Sequence, residues 1–198
     1  MNIAVFASTN GTDLQAIIDE KKAGNLENID ISFVFVDKKE CGAAKKARNA
    51  GIPLIFVDIF DENDKKKARE DYDREIQIAC EAHKIDLIVL VGWMRILSPW
   101  FVKQWPRKIL NIHPSLLPKY PGMDLDVHQE VLDNGETETG MTIHYVDEGV
   151  DSGEIILQKS VQVSHEDTAE TLKVKVQELE KRWYPEVIRE LSKDQDLS

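Results

Sequence analysis

The sequence predicts an α/β chain: a Rossmann-like, doubly wound, mostly parallel sheet with an antiparallel carboxyl-terminal extension and a long carboxyl-terminal helix. Three observations carry this. Short apolar runs alternate with helix-length segments through the first half, the pattern of strands joined by crossover helices. Residues 85–91 are hydrophobic almost without interruption, as a strand covered on both faces must be. Residues 141–146 and 155–163 alternate apolar with polar positions and are joined by a loop, which suits strands added antiparallel at one edge.

The elements follow in order. Residues 3–7 read as the first strand and Ser8-Thr9-Asn10-Gly11 as a turn. A helix begins at Thr12, with Gln15 in capping-box spacing and Leu14, Ile17 and Ile18 as its inner face. Residues 31–36 form a second strand, 42–49 a short helix and 53–57 a third strand. Between 63 and 84, Ala68, Tyr72, Ile76, Ala79 and His83 recur every three or four residues and predict a helix. Strands at 85–91 and 109–112 precede the two antiparallel ones. The last helix is expected over 167–191 on a stripe of Leu172, Val176, Leu179, Trp183 and Val187, with Pro185 expected to kink it. No repeat or linker composition breaks the pattern, so residues 1–198 are expected to form a single domain.

Composition narrows the function. The chain is 42% hydrophobic and 31% charged, as ordinary globular proteins are, and its formal charge of −11 opposes nucleic-acid binding through a general basic surface. An anionic substrate must then be captured by local donors against the long-range field. No apolar run has the length of a membrane span, and the amino terminus lacks a basic n-region, so a cytoplasmic protein with no membrane partner is expected. Cys41 and Cys80 are far apart and have no His or Cys neighbours at metal-ligand spacing; reduced thiols and no metal are expected.

Ligands of open α/β sheets bind beyond the carboxyl ends of the strands, and three segments lie there. Ser8-Thr9-Asn10-Gly11-Thr12-Asp13 joins a strand to a helix whose first backbone N–H groups suit a phosphate, although an ordinary turn has the same composition. Asp13 favours that helix end but competes with an anion there. Gly92-Trp93-Met94-Arg95-Ile96-Leu97 offers either a slot for a flat heteroaromatic ring or plain packing. Asn111-Ile112-His113-Pro114-Ser115-Leu116-Leu117-Pro118-Lys119-Tyr120-Pro121-Gly122 places an amide and an imidazole two apart on a strand, hence on one face. Such a pair can stabilise an oxyanion and move a proton. The loop Asp147-Glu148-Gly149-Val150-Asp151-Ser152-Gly153 reads as a solvated turn unless one of its acids reaches His113, where it would orient the ring. His128 and His144 are weaker candidates.

These segments resemble the phosphoribosylglycinamide formyltransferases, a family of folate-dependent enzymes. The run from Asn111 to Gly122 is similar to the family signature, Gly92 to Ser98 to its folate segment with Trp93 in place of Phe, and Asn10 to Gln15 to its phosphate loop. Val150-Asp151-Ser152-Gly153 resembles its acidic loop, and residues 180–185 a carboxyl-terminal segment. The resemblance implies that Asn111, His113 and Asp151 are catalytic, with Asn111 and His113 on the formyl oxygen and Asp151 supporting His113. It implies that Met94, Arg95, Ile96, Leu97, Asp147, Glu148, Gly149 and Val150, with Asn111, hold 10-formyltetrahydrofolate, and that Arg69 meets the folate tail. Gly11, Thr12 and Asp13 would cradle the substrate phosphate, and Glu180 the ribose.

Three departures from the family pattern gather on the acceptor side. Thr9 stands in place of Gly, Asp13 in place of Asn, and the acidic run Met123-Asp124-Leu125-Asp126-Val127 is about two residues longer. The expected reaction is formyl transfer to phosphoribosylglycinamide in purine synthesis, by a monomer or homodimer acting on small molecules. The alternatives are another amine acceptor, such as an amino-sugar nucleotide, hydrolysis of the folate, or folate binding without catalysis.

Overall fold

The strands divide their side chains between two cores, and this divides the helices into two layers. In β1 (Asn2–Ala7), Ile3, Val5 and Ala7 face one core while Ala4 and Phe6 face the other. β4 (Leu87–Val91) repeats this with Leu87, Val89 and Val91 against Ile88 and Leu90. Both strands are buried on both faces, which is why their sequences run apolar without alternation. In β2 (Asp30–Val36) the pairing with β1 shifts between Ile3 and Ala4, so that Ile31 pairs Ile3 and Phe33 pairs Ala4. Ser32 is the extra residue of a bulge, and the odd-numbered positions change face there: Ile31 joins the first core, Phe33 and Phe35 the second.

The structure is a computed structural model and describes residues 1–122 and 127–195. Its seven-stranded sheet has the order β3-β2-β1-β4-β5-β6-β7. The first five strands, completed by β3 (Leu54–Phe56) and β5 (Ile109–His113), pair in parallel; β6 (Glu138–Tyr145) and β7 (Ile155–Gln162) extend the sheet antiparallel. The predicted fold class is therefore the observed one. β1 and β4 are neighbours whose connections leave to opposite sides, and their carboxyl ends form the crevice in which such sheets bind ligands.

Helices α1 (Thr12–Lys22), α2 (Gly42–Ala50) and the long carboxyl-terminal helix, α6 (Ala169–Gln195), supply residues to the first core; α3 (Arg69–Ala82) and α4 (Pro99–Gln104) supply the second. The carboxyl-terminal helix contains Pro185 and continues through it to Gln195. Its innermost positions are Leu172, Val176, Tyr184 and Ile188, each fully buried, whereas Trp183 of the expected stripe is partly buried beneath Lys159. The stripe turns because 3.6 residues per turn outrun a strict heptad.

Other expectations need correction. The capping box at Thr12 does not form: Gly11 occupies the cap, no side chain caps the helix, and the Gln15 amide donates to Asp19. The helix predicted from residue 63 starts only at Arg69, because Asp61 accepts the backbone N–H groups of Asn63 and Lys65 and builds a turn there. α4 and α5 (Val127–Asp133) were not foreseen; at α4 the signal is Ser98 capping Phe101 N–H with Pro99 at the first turn. Burial pushes the Cys80 thiol up to about 12, which keeps it out of thiolate chemistry. No helix among the described residues is long and apolar enough to cross a membrane.

Candidate active site

The crevice opens into one cavity lined from both helix layers. Thr9, Thr12 and Asp13 line it after β1, residues 92–97 after β4, Asn111 and His113 from β5, and Asp147, Gly149, Val150 and Asp151 from the β6–β7 loop. The β1 and β4 loops are tied together where they leave the sheet: Ser8 N–H donates to Gly92 carbonyl at 3.3 Å and Met94 N–H to Ser8 Oγ at 3.1 Å. Thr9 fits in place of a glycine because its side chain lies against Gly92. That residue has φ 53°, and a Cβ on it would collide with Thr9 Oγ1.

Asn111 and His113 share a face of β5, and β6 supplies their cross-strand neighbours, His144 opposite Asn111 and Thr142 opposite His113. Thr142 Oγ1 donates to Ser115 carbonyl at 2.6 Å and accepts Leu117 N–H at 3.0 Å, which pins the loop after β5 to the sheet. Tyr120 then turns its carbonyl onto His113 Nε2 at 2.7 Å. A carbonyl can only accept, so Nε2 carries hydrogen and donates. Nδ1 is left facing Asp151 Oδ2 at 3.5 Å, so a proton taken up by the ring arrives beside a carboxylate.

Asp151 reaches this point because its loop folds back over β5. A Cβ on Gly153 would collide with the Tyr145 carbonyl oxygen, so only glycine permits that return. Asp151 itself has φ 51°, a left-handed conformation held by its contacts. Its carboxylate accepts Gly122 N–H at 2.8 Å and Asn111 Nδ2 at 3.4 Å, and lies 3.5 Å from His144 Nε2. Burial works to raise its pKa, but hydrogen bonds from His144 and Gly122 and the charge of the two imidazoles prevail, and the group stays below the ordinary carboxylate range. His144 donates from Nδ1 to Tyr145 carbonyl at 2.8 Å; when the ring is neutral its Nε2 accepts from Asn111 Nδ2 at 3.2 Å, and when the ring is protonated the same nitrogen donates toward Asp151. The two hydrogens of the Asn111 amide are thereby aimed at His144 and Asp151, which fixes the amide plane.

The remaining sequence-derived residues divide. Met94, Arg95, Ile96 and Leu97 line the cavity, as do Val146, Gly149 and Val150, so a largely apolar part of the wall with one guanidinium belongs to the same cavity as the Asn111–His113–Asp151 cluster. Asp147 lines it too, and its Oδ1 accepts Gly149 N–H and Ser152 Oγ–H, holding the loop's shape. Glu148 is not on the wall; it pairs with Lys103 at 3.4 Å. Arg69 is also off the wall, exposed at the start of α3, with its charge acting on the buried carboxyl of Asp73. Gly11 is buried at the cap of α1 and does not line the cavity. Asp13 and Glu180 both line it, each 7% exposed, and His128 joins them. Of the acidic run, residues 123–126 lie outside the described residues, and Val127 begins α5.

Sequence reasoning missed Lys173 and Gln177, which line the cavity from α6. The available signal was helical spacing: both share a face with Glu180, at seven and three residues before it. It also underrated His144, whose position opposite Asn111 depends on strand register and is not visible in local sequence.

The cluster joins an amide donor, an imidazole and a carboxylate at the carboxyl end of β5, the groups that stabilise a developing oxyanion and move a proton. That chemistry is the one acyl-type group transfer requires. The family model for formyl transferases matches residues 1–188, and the chain belongs to that family. It is 42% identical over 190 residues to the phosphoribosylglycinamide formyltransferase of Escherichia coli K12, covering 95% of this chain and 85% of that one. It is 39% identical over 187 residues to the human trifunctional purine biosynthetic protein adenosine-3, covering 94% of this chain but 18% of that protein. The structure of glycinamide ribonucleotide transformylase 1 from Symbiobacterium toebii superposes with a TM-score of 0.90 at 35% identity, covering 98% of this chain and 88% of that one.

Proposed function

We propose that the chain is an enzyme that transfers the formyl group of 10-formyltetrahydrofolate to the amine of phosphoribosylglycinamide, a step of purine synthesis. The observation that carries this reading is the convergence of Asn111 and His113 on Asp151, at 3.4 and 3.5 Å, in a cavity also lined by Met94, Ile96, Leu97 and Val150 and by Thr12 and Asp13 at the amino terminus of α1. The wall formed by residues 94–97 with Val146, Asp147, Gly149 and Val150 suits a planar pterin, with backbone groups for its polar edge. Its position puts a formyl group held there next to the catalytic cluster. Thr12 and Asp13 of α1, with Gly11 shaping the turn, receive the acceptor's phosphate, and Glu180 accepts from its ribose hydroxyls.

In this mechanism the amine nitrogen forms a bond to the formyl carbon while the carbonyl electron pair moves onto oxygen. Asn111 redirects its longer hydrogen bond, the one to Asp151, onto that oxygen as charge builds. His113 lies beside the same oxygen and takes up the proton that the amine loses; Asp151 stabilises the imidazolium and keeps the ring in place. When the carbon–nitrogen bond to the folate breaks, the proton returns to the folate nitrogen. The whole chain acts as one unit on two small molecules in the cytoplasm.

The test is a formyl-transfer assay with 10-formyltetrahydrofolate and, in parallel, phosphoribosylglycinamide, amino-sugar nucleotides, or no acceptor. Turnover is expected with phosphoribosylglycinamide. Faster turnover with an amino-sugar nucleotide would move the assignment to that acceptor, and equal folate consumption without any acceptor would make the enzyme a hydrolase.

A further inference from the structure

The acceptor end of the cavity has a charge problem that the reading above does not solve. Asp13, at the amino terminus of α1, and Glu180, on α6, are both nearly buried and both line it. A phosphorylated acceptor carries roughly two further negative charges near neutral pH. The chain as a whole has a formal charge of −11, so the long-range field also repels such a ligand. The partial charge of a helix end, about half a unit, does not offset this with a carboxylate in its own first turn.

Among the described residues, Arg95 and Lys173 are the lysine and arginine side chains that line the cavity. They belong to opposite layers. Arg95 stacks its guanidinium over the ring of Tyr72, 4.3 Å from the centroid, and Tyr72 is a buried residue of α3 in the second core. Lys173 is on α6, which packs against α1 in the first layer. Lys173, Gln177 and Glu180 follow at spacings of four and three residues, so they project from one helical face, and all three line the cavity. Of the two cations, Lys173 is therefore the one on the side where Asp13 begins its helix.

We infer that Lys173 is the specificity-determining cation of this enzyme: its ammonium takes the acceptor's phosphate and offsets the Asp13 carboxylate, which lines the same cavity from α1. The inference rests on the proposed acceptor being a phosphate ester. It explains how a chain with Asp at position 13 can still use the α1 terminus for an anion. The compensating charge comes from one turn before Gln177 on α6, the helix that packs on α1, and is carried on a flexible four-carbon stem.

The experiment compares the intact chain with Lys173→Met and Lys173→Arg in two measurements. In the first, calorimetric titration with inorganic phosphate in the absence of folate reads the anion site alone. In the second, formyl transfer is measured with phosphoribosylglycinamide and 10-formyltetrahydrofolate varied separately. Lys173→Met is expected to weaken phosphate binding and raise the acceptor KM by about 10- to 100-fold, the range of a lost charge-assisted hydrogen bond. The folate KM should remain within about twofold, and Lys173→Arg should recover most of the loss. Unchanged phosphate binding in Lys173→Met overturns the inference, as does an equal rise in both Michaelis constants. If the unaltered chain binds phosphate through Lys173 but does not formylate phosphoribosylglycinamide, the acceptor assignment fails and the cation site stands.

Discussion

Replacing Asp151 with Asn is the most searching perturbation of the site, since it keeps the volume and removes the charge. Around the carboxylate stand Gly122 N–H at 2.8 Å, Asn111 Nδ2 at 3.4 Å, and an imidazole nitrogen of His113 and of His144, each at 3.5 Å. Gly122 N–H and Asn111 NH2 can only donate. An amide at position 151 has one oxygen for the two of them, and its own NH2 must confront whichever donor is left. Stability should fall by about 1 to 3 kcal/mol, the cost of a buried polar group left without a partner. The effect on chemistry is larger. The imidazolium loses its counter-charge, and the plane of the Asn111 amide is no longer fixed, so a positioned donor and a proton carrier both degrade. Loss of one oxyanion donor alone costs about 100- to 1000-fold in kcat, and loss of a carboxylate that orients a catalytic imidazole can reach about 10,000-fold. The assay is steady-state formyl transfer at saturating folate and acceptor, with urea unfolding run on the same preparations. A kcat within about threefold of the unaltered chain, in a protein that remains folded, would refute the claim that this carboxylate supports the reaction.

Four further outcomes are expected. His113→Ala should lower kcat by about 100- to 10,000-fold, the range of general acid–base catalysis, with unchanged circular dichroism. Asp13→Asn should tighten acceptor binding by about 1 kcal/mol, roughly a fivefold fall in KM, and an unchanged KM would show that the carboxylate does not act on the acceptor. Tyr184→Phe should cost about 1 to 2 kcal/mol in urea unfolding, because the buried hydroxyl donates to the carbonyl oxygens of Leu90 and Leu110 at 2.9 and 3.1 Å, anchoring α6 to the sheet. Asp167 is held at about 2 by Lys175, the Ser164 N–H and Thr171. Its folded pKa is depressed, so its contribution is present above the unfolded carboxylate range and lost as pH falls from about 4 toward 2; Asp167→Asn should flatten that limb of the melting-temperature profile.

What the sequence made legible follows the range of the forces involved. Strand faces could be read because burial on both sides leaves an unbroken apolar run, as in β4. Asn111 and His113 could be paired because a strand's period of two acts between near neighbours. The two short helices escaped: α4 is six residues and α5 seven, too short for a clear period. The start of α3 was misplaced because an aspartate at position 61 captures backbone donors that an apolar pattern does not register. His144 and Lys173 required tertiary information, one through antiparallel register and the other through the packing of α6 on α1. The meeting of Asp151 with His113 was only a conditional reading, since a glycine-containing acidic loop has the same composition whether or not it folds back.

The two layers of the sheet also explain why the departures from the family pattern fall together. Thr9 and Asp13 follow β1 toward α1, and Lys173 lies on α6, which packs on α1; all belong to the first layer or its edge. Asn111, His113 and Asp151 instead meet across β5, β6 and the loop after β6. Under the proposed function, a substitution at Thr9 or Asp13 alters charge and space where the acceptor would enter, on elements other than those that carry the Asn111–His113–Asp151 cluster. Glu180, beside the fully buried Val176 and Tyr184, is bound into the core by its neighbours and is less free to vary. Change on this side is therefore expected to act through compensating pairs, one on α1 and one on α6. If so, Asp13→Asn and Lys173→Met should be non-additive for acceptor binding: without the carboxylate to offset, removing the ammonium should cost less than it does alone. Strict additivity in that cycle would mean that the two residues act independently on the phosphate.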